Sequence, residues 1–429
     1  LVIRSPSTIT ASEHPSGQSS GQAVVSVVRV EGPSLALIAV RTSFRRADLL
    51  RSSSSKARTT PVTTAFDSAR DLFDTISANA ERTAPEPVPA ETVQALVDAE
   101  LHAVCTPKEV GGLELSLVDQ LDVLAEVSRA DGSAGWCLLA NSSTIAFFGA
   151  WAGDDFAREL FADGVPLAAG QFAPNGVAVP ADGGWSVTGD YQFGSGINHS
   201  TWVGAGTLTE EPDGADSRFL FTLMPIDAVE LRGNWDVLGL QSTASFDYAV
   251  RDAFVPDQAT FDFFAPVRHR GGPAFDLGVM CLTAVGHAGF ALGVIRRVLD
   301  ELVAVGRGKH RMGAAVPLKD SERFLYSLGV LESRFRAAEA WVRSAVEAVE
   351  ASALAGSPDP SAITACRQAT VFLTQEGADI AREAYLLAGT TALRDGPLQR
   401  GFRDLHAGSQ HFFASDAATL DLGKELMAD

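Results

Sequence analysis

Cysteine is scarce in this chain. Four residues, Cys105, Cys137, Cys281 and Cys366, are spread over 429 positions without a C-x-x-C pair. That spacing offers neither a zinc framework nor a redox dithiol, and it suits buried thiols in a reducing cytosol. The chain is therefore expected to be cytoplasmic, with the sequons at Asn141 and Asn198 idle. Basic residues are also outnumbered: 34 Lys and Arg face 53 Asp and Glu, a formal net charge of −19. Nucleic-acid binding needs clustered cations to neutralise phosphates, so that class is set aside. There is no Walker loop, H-E-x-x-H or Rossmann G-x-G-x-x-G, and no histidine has an acidic or cysteine partner at ligand spacing, so no metal is expected. One G-x-S-x-G match, Gly17–Gly21, lies in a Ser/Gly-rich tail rather than in the strand–turn–helix a nucleophile elbow requires. The uncharged run Leu277–Ile295 is long enough on paper to cross a bilayer. It carries Gly278, Gly286, Gly289, Gly293 and His287, and small residues let helices approach closely, so a buried helix of a soluble bundle is expected rather than a membrane span.

Apolar residues make up 46% and charged residues 20%, and the length leaves room for two or three domains. Residues 1–60 are Ser/Thr/Arg-rich with few acids and read as an atypical extension. Residues 61–165 have helical periodicity, with one apolar face at Val93, Leu96, Val97 and Leu101 and another at Leu117, Leu121, Leu124 and Val127. Over 166–268 the period becomes two: Trp185 and Val187 alternate with Ser186 and Thr188, Gly189-Asp190 suits a tight turn, and Tyr191 and Phe193 continue. Further strands are expected at Phe219–Leu223 and Ala244–Val250, which fits a small antiparallel barrel or sandwich. From 269 to 429 the helical period returns. Phe324, Leu328, Leu331, Phe335, Ala338 and Val342 form a seam, and Ile363, Cys366, Leu373, Ile380 and Leu387 mark another long helix.

Several local motifs carry a resemblance. Thr106-Pro-Lys-Glu-Val-Gly-Gly112, Val127-Ser-Arg-Ala-Asp-Gly-Ser-Ala-Gly-Trp136 and Trp235-Asp-Val-Leu-Gly-Leu-Gln-Ser-Thr-Ala-Ser245 resemble segments of the acyl-CoA dehydrogenase family, over roughly residues 65–429. The resemblance implies a mainly α fold with a central β domain: an N-terminal helical domain, a small antiparallel β-barrel and a C-terminal four-helix bundle. Dehydrogenases of that family need a carboxylate base to abstract a proton beside the flavin. Here the Arg403-Asp404 pair is followed by no acid before Asp416, and the alternative position near Phe275-Asp-Leu-Gly278 holds glycine. Phe193-Gly-Ser195-Gly196-Ile-Asn-His199-Ser-Thr-Trp202, Gln171-Phe-Ala-Pro174 and the spacing from Arg403-Asp404 to His411 instead resemble the family's flavin-dependent hydroxylases.

In those enzymes a reductase supplies reduced FMN or FAD, O2 reacts with it to give a C4a-hydroperoxide, and one oxygen passes to a small aromatic or polycyclic substrate. The resemblance assigns Ser195 and His411 to catalysis, Ser195 at flavin N5 and His411 as proton acceptor or hydroperoxide partner. It implies that Gln171, Phe172, Gly196 and Asn141 contact the cofactor, and that Trp136, His199 and His406 line the substrate pocket. Arg403-Asp404 is expected to be a structural ion pair. The expected assembly is a homotetramer. The alternative is an acyl-CoA dehydrogenase or oxidase with bound FAD, whose base would have to be Glu376 or Glu383.

Overall fold

The computed structural model describes residues 64–211 and 216–427. The expected N-terminal extension and the Gly17–Gly21 match lie outside them. Six helices come first: α1 (Ala65–Asp71), α2 (Phe73–Thr83), α3 (Ala90–Asp98), α4 (Leu117–Ala130), α5 (Gly132–Trp151) and α6 (Asp154–Leu160). Seven strands follow: β1 (Ala168–Ala181), β2 (Gly184–Gly194), β3 (Trp202–Thr209), β4 (Phe219–Pro225), β5 (Val229–Leu231), β6 (Phe246–Pro256) and β7 (Thr260–Asp262). The chain closes with α7 (Gly278–Gly308), α8 (Glu322–Leu354), α9 (Pro360–Ala388), α10 (Pro397–Gly408) and α11 (Ala417–Leu426).

Local signals set the helix boundaries. Ser116 caps α4 by accepting from Asp119 N at 3.1 Å, and Asp131 caps α5 by accepting from Ala134 N at 2.8 Å. Pro360 opens α9 behind the cap Asp359. The α8 seam is buried at Phe324, Leu331, Phe335, Ala338 and Val342, as its spacing requires.

The uncharged run forms the first half of α7. This helix is long and apolar enough to span a membrane, yet most of that stretch is buried inside the protein. Its glycines let it press against α4 and α5. A Cβ at Gly293 would fall 2.1 Å from Ala125 O, one at Gly289 2.8 Å from Leu124 Cβ, and one at Gly286 2.1 Å from Leu139 Cδ1. In the C-terminal part α7 packs along α9 and α10 and α8 packs along α9, while α4 also packs along α7 and joins these helices to the N-terminal ones.

The β region differs from the expected antiparallel barrel. It is one mixed sheet in the order β5-β6-β2-β1-β3-β4-β7, with β5 and β7 at its two edges. β1 runs antiparallel to β2 and parallel to β3, pairing Ala168 with Trp202. The cause is topological. After the β1–β2 hairpin, residues 195–201 carry the chain across to the other side of β1, where β3 must run parallel to it. Gly189-Asp190 is not a turn but continues β2; the hairpin turns at Asp182-Gly183, with Gly183 at φ +75°. Gly189 instead permits close packing, since a Cβ there would sit 2.7 Å from both Gly176 Cα and Tyr191 Oη. Ala244 precedes β6 in a left-handed conformation at φ +45°.

Candidate active site

The crossing segment between β2 and β3 meets α5 at Trp136 and Asn141. Trp136 Nε1 donates to Ser195 Oγ at 3.0 Å. Ser195 Oγ also lies 2.8 Å from Ser245 Oγ, which lies 2.6 Å from Thr243 Oγ1, and Thr243 donates to Leu240 O at 2.8 Å. This buried chain of hydroxyls fixes the Ser195 side chain, because each member has partners on both sides. Asn141 Nδ2 donates to Ala168 O at 3.2 Å and to Ser195 O at 3.3 Å. Gly196 follows at φ +70°, and a Cβ there would fall 2.9 Å from Asn141 Oδ1, so both conformation and space call for glycine. Phe193 holds a left-handed φ of +63° with a half-exposed ring, an uncommon state for a bulky residue.

β1 reaches the same region from another direction. Its register against β3 shifts between Gln171 and Gly176, a bulge of the kind that re-aims side chains. Gln171 N–H donates to Tyr248 Oη at 3.0 Å, and its Oε1 accepts from Gln192 N at 3.1 Å. The Phe172 ring lies 4.7 Å from Phe221 and edge-on to Phe413 at 6.5 Å.

Phe413 brings in the C-terminal segment. α10 stops at Gly408, and His411 opens a short turn of 3-10 helix. The half-buried His411 ring meets Trp136 edge-on at 5.1 Å and stacks with Phe413 at 5.3 Å. Its other neighbour is His287 of α7, nearly parallel at 5.5 Å and 16°. Burial pushes the His411 pKa down to about 4. His287 is pushed down to about 3, first by burial and then by His411. Both imidazoles are therefore neutral near pH 7, able to accept a proton or share a hydrogen bond. Neither nitrogen of His287 has a hydrogen-bond partner among the described residues. An unpaired buried polar group costs about 1–3 kcal/mol, so something must compensate for keeping it.

Other candidate residues lie apart from this cluster. His199 Nε2 contacts Val88 O at 2.7 Å and so ties the crossing segment to the residues just before α3. His406 turns back on α10, with Nδ1 2.7 Å from Phe402 O. Arg403 and Asp404 do not form the expected ion pair. Arg403 donates to Gln241 Oε1 at 2.6 Å and pairs with Asp395 at 3.7 Å, while Asp404 accepts from Leu240 N at 2.6 Å. A buried carboxylate here gains more from a backbone donor than from its sequence neighbour, whose side chain points toward Gln241. Burial, reinforced by the nearby Asp131, pushes the Asp404 pKa up to about 7.

The missed residue is His287. In sequence it is only a polar interruption of an apolar run, and no spacing ties it to Trp136 or His411. No group of three or more His, Cys, Asp or Glu at metal-binding distance occurs among the described residues.

Comparison with known proteins follows the same outline. Residues 64–159 match the acyl-CoA dehydrogenase N-terminal domain, and residues 285–416 match the acyl-CoA dehydrogenase C-terminal domain. A pigment production hydroxylase of Rhodococcus sp. is 30% identical over 382 residues, covering 84% of this chain and 95% of its own. Indole-3-acetate monooxygenase of Pseudomonas putida is 28% identical over 338 residues, covering 75% and 83%. Among solved structures, the HsaA monooxygenase from M. tuberculosis superposes with a TM-score of 0.77 at 24% identity, covering 85% of this chain and 96% of its own. XiaF from Streptomyces sp., in complex with FADH2 and glycerol, gives 0.77 at 22%, covering 85% and 95%.

Proposed function

This chain belongs to the acyl-CoA dehydrogenase family, and from that premise we propose that it is a reduced-flavin-dependent monooxygenase. It hydroxylates a small aromatic or polycyclic compound and receives reduced FMN or FAD from a separate flavin reductase, with O2 as co-substrate. The carrying observation is that Ser195 and His411, from distant parts of the chain, both contact Trp136. The resemblance to hydroxylases named for aromatic substrates, such as indole-3-acetate monooxygenase, supports the same reading.

The residues present fit a flavin. A planar ring system needs flat walls, a donor or acceptor at its edge and close backbone approach. The chain offers the ring of Phe172, the fixed hydroxyl of Ser195 and the glycine cradle at Gly196. When bound, the reduced flavin activates O2 for transfer to the substrate. Ser195 Oγ would hold the hydrogen at flavin N5, while Gln171, Phe172, Gly196 and Asn141 shape the seat. His411, neutral through burial, accepts the proton from the substrate. Trp136 keeps both groups in place and helps to exclude water.

Nothing favours the dehydrogenase alternative. Glu376 pairs with Arg334, and Glu383 accepts from the same guanidinium at 2.6 Å, so neither carboxylate is free to act as the base. Gly278 stands at the start of α7, where the other base would be expected.

We also propose domain limits near 61–165, 166–268 and 269–429, supported by the change of element type between α6 and β1 and between β7 and α7. Exposed Tyr326, Trp341, Phe372 and Leu386 on α8 and α9 support assembly into a homotetramer, and the cysteine usage supports a cytoplasmic location.

The test is stopped-flow mixing of the protein, loaded with anaerobically reduced FMN or FAD, with oxygenated buffer. A transient absorbance distinct from both reduced and oxidised flavin is expected. Its absence with both flavins removes this function. Bleaching of tightly bound FAD by an acyl-CoA would establish the alternative.

A further inference from the structure

His287 is fully buried in α7, and neither ring nitrogen has a partner among the described residues. A neutral imidazole carries one N–H and one lone pair, so a donor and an acceptor are both unmet. Thr283 stands one turn earlier, and its buried Oγ1 is likewise unpartnered among the described residues. Residues four apart are neighbours on a helix surface, so α7 presents a short strip of unsatisfied polar groups. The glycines Gly286, Gly289 and Gly293 meet α4 and α5. His287 meets the α5 indole Trp136 edge-on at 5.5 Å, Phe290 at 5.9 Å and the face of His411 at 5.5 Å. None of these rings is charged in its neutral form.

We propose that His287, with Thr283 beside it, is a specificity-determining residue that recognises an uncharged hydroxyl on the substrate's aromatic ring. A phenolic O–H donates to the bare imidazole nitrogen and its oxygen accepts from Thr283 Oγ1. An unsubstituted arene leaves the strip unmet, which favours the hydroxylated ring by comparison. A carboxylate brings a charge into an aromatic enclosure where the facing imidazole is neutral, and burying that charge unpaired is costly. Depression of the His287 pKa to about 3 agrees with this preference. The hydroxyl would then lie within one ring of His411, the proton acceptor of the proposed hydroxylation. The inference rests on that function for the word substrate, but its test needs neither flavin nor turnover.

The experiment is calorimetric titration of the flavin-free protein with three probes of one shape: 2-naphthol, naphthalene and 2-naphthoate. Wild type is expected to bind 2-naphthol at least tenfold more tightly than either of the others. His287→Phe keeps a ring in place but removes both nitrogens, and should bring 2-naphthol down about tenfold, to the level of naphthalene, a loss of about 1.4 kcal/mol. His287→Gln retains a donor and an acceptor and should keep part of the preference, which separates recognition from packing. Circular dichroism checks that each variant is folded. Equal binding of 2-naphthol and naphthalene by wild type overturns the proposal, as does binding of neither. An unchanged ratio in folded His287→Phe or tighter binding of 2-naphthoate overturns it too. Loss of the oxygen-dependent absorbance with an intact naphthol preference would count against the monooxygenase function alone.

Discussion

Ser195 and His411 share one neighbour, Trp136, which donates to the serine through Nε1 at 3.0 Å and meets the imidazole edge-on at 5.1 Å. One indole thus sets the spacing between a hydroxyl on the strand-crossing segment and an imidazole after α10. Trp136→Phe keeps a ring but deletes the donor. Ser195 retains Ser245 as a partner, so the loss of stability should stay near 1 kcal/mol. The freed serine can rotate, and substrate oxygenation should lose its coupling to oxygen consumption. The measurement is product formed per O2 consumed, expected to fall several-fold with a matching rise in hydrogen peroxide.

His411→Ala should leave the fold and flavin binding nearly intact. Product formation should drop by roughly 10²–10⁴-fold, the usual worth of a positioned acid or base, with hydrogen peroxide taking its place. His411→Asn keeps hydrogen bonding without a titratable site and should not restore the rate. Burial holds the His411 pKa at about 4, so the neutral, competent form persists through mild acid. Product formation should therefore stay level from pH 8 to about pH 5 and fall only below that, rather than near pH 6.5. A break near 6.5 that His411→Asn abolishes would show an ordinary, solvent-exposed histidine.

The order of helices, strands and helices was legible from period alone, because α4, α8, α9 and the Trp185–Tyr191 part of β2 bury the face that their alternation marks, whereas Phe193 turns outward and β6 is buried on both faces at Tyr248–Val250. Ser195 and His411 were legible because each sits in a local motif. The parallel pairing of β1 with β3 was not, since it depends on which side of β1 the chain reaches after residue 201. His287 was not either. Its neighbours come from α5 and from the turn after α10, and only tertiary packing brings those positions together. Asp404 was visible as half of a pair, but its partner is a backbone amide, which no side-chain pattern reveals.

Asp404 gives a stability prediction with a definite sign. Its folded-state pKa is raised from 3.8 to about 7, chiefly by burial and then by Asp131. Between about pH 4 and pH 7 the native state therefore binds more protons at this site than the unfolded chain. By linkage, its contribution makes stability fall as pH rises through that window and then level off. His287 and His411 act oppositely, since their lowered pKa values add stability as pH climbs from about 3–4 to 6.5. The difference between wild type and Asp404→Asn isolates the carboxyl. The amide still accepts from Leu240 N, so the variant should match wild type near pH 4 and gain about 1–3 kcal/mol on it at pH 8. Denaturant melts at the two pH values measure this directly. An equal difference at both would mean that Asp404 is ionised throughout.

On α9, architecture and chemistry can be told apart. Arg334 of α8 is gripped by both Glu376 and Glu383, and a forked guanidinium with two carboxylates holds two helices better than a single exposed pair does. Glu376 is the less exposed of the two carboxylates, so Glu376→Gln should cost about 1–2 kcal/mol of stability and Glu383→Gln less, because exposed pairs are worth little. Neither should alter product formed per O2 consumed, since both carboxylates serve the helix contact. A dehydrogenase would behave otherwise. Removing its base abolishes proton abstraction while leaving the fold almost untouched, so a variant with wild-type melting but no turnover would transfer the catalytic role to that glutamate. A variant that melts earlier and turns over normally keeps Glu376 and Glu383 as struts, and leaves proton transfer to His411.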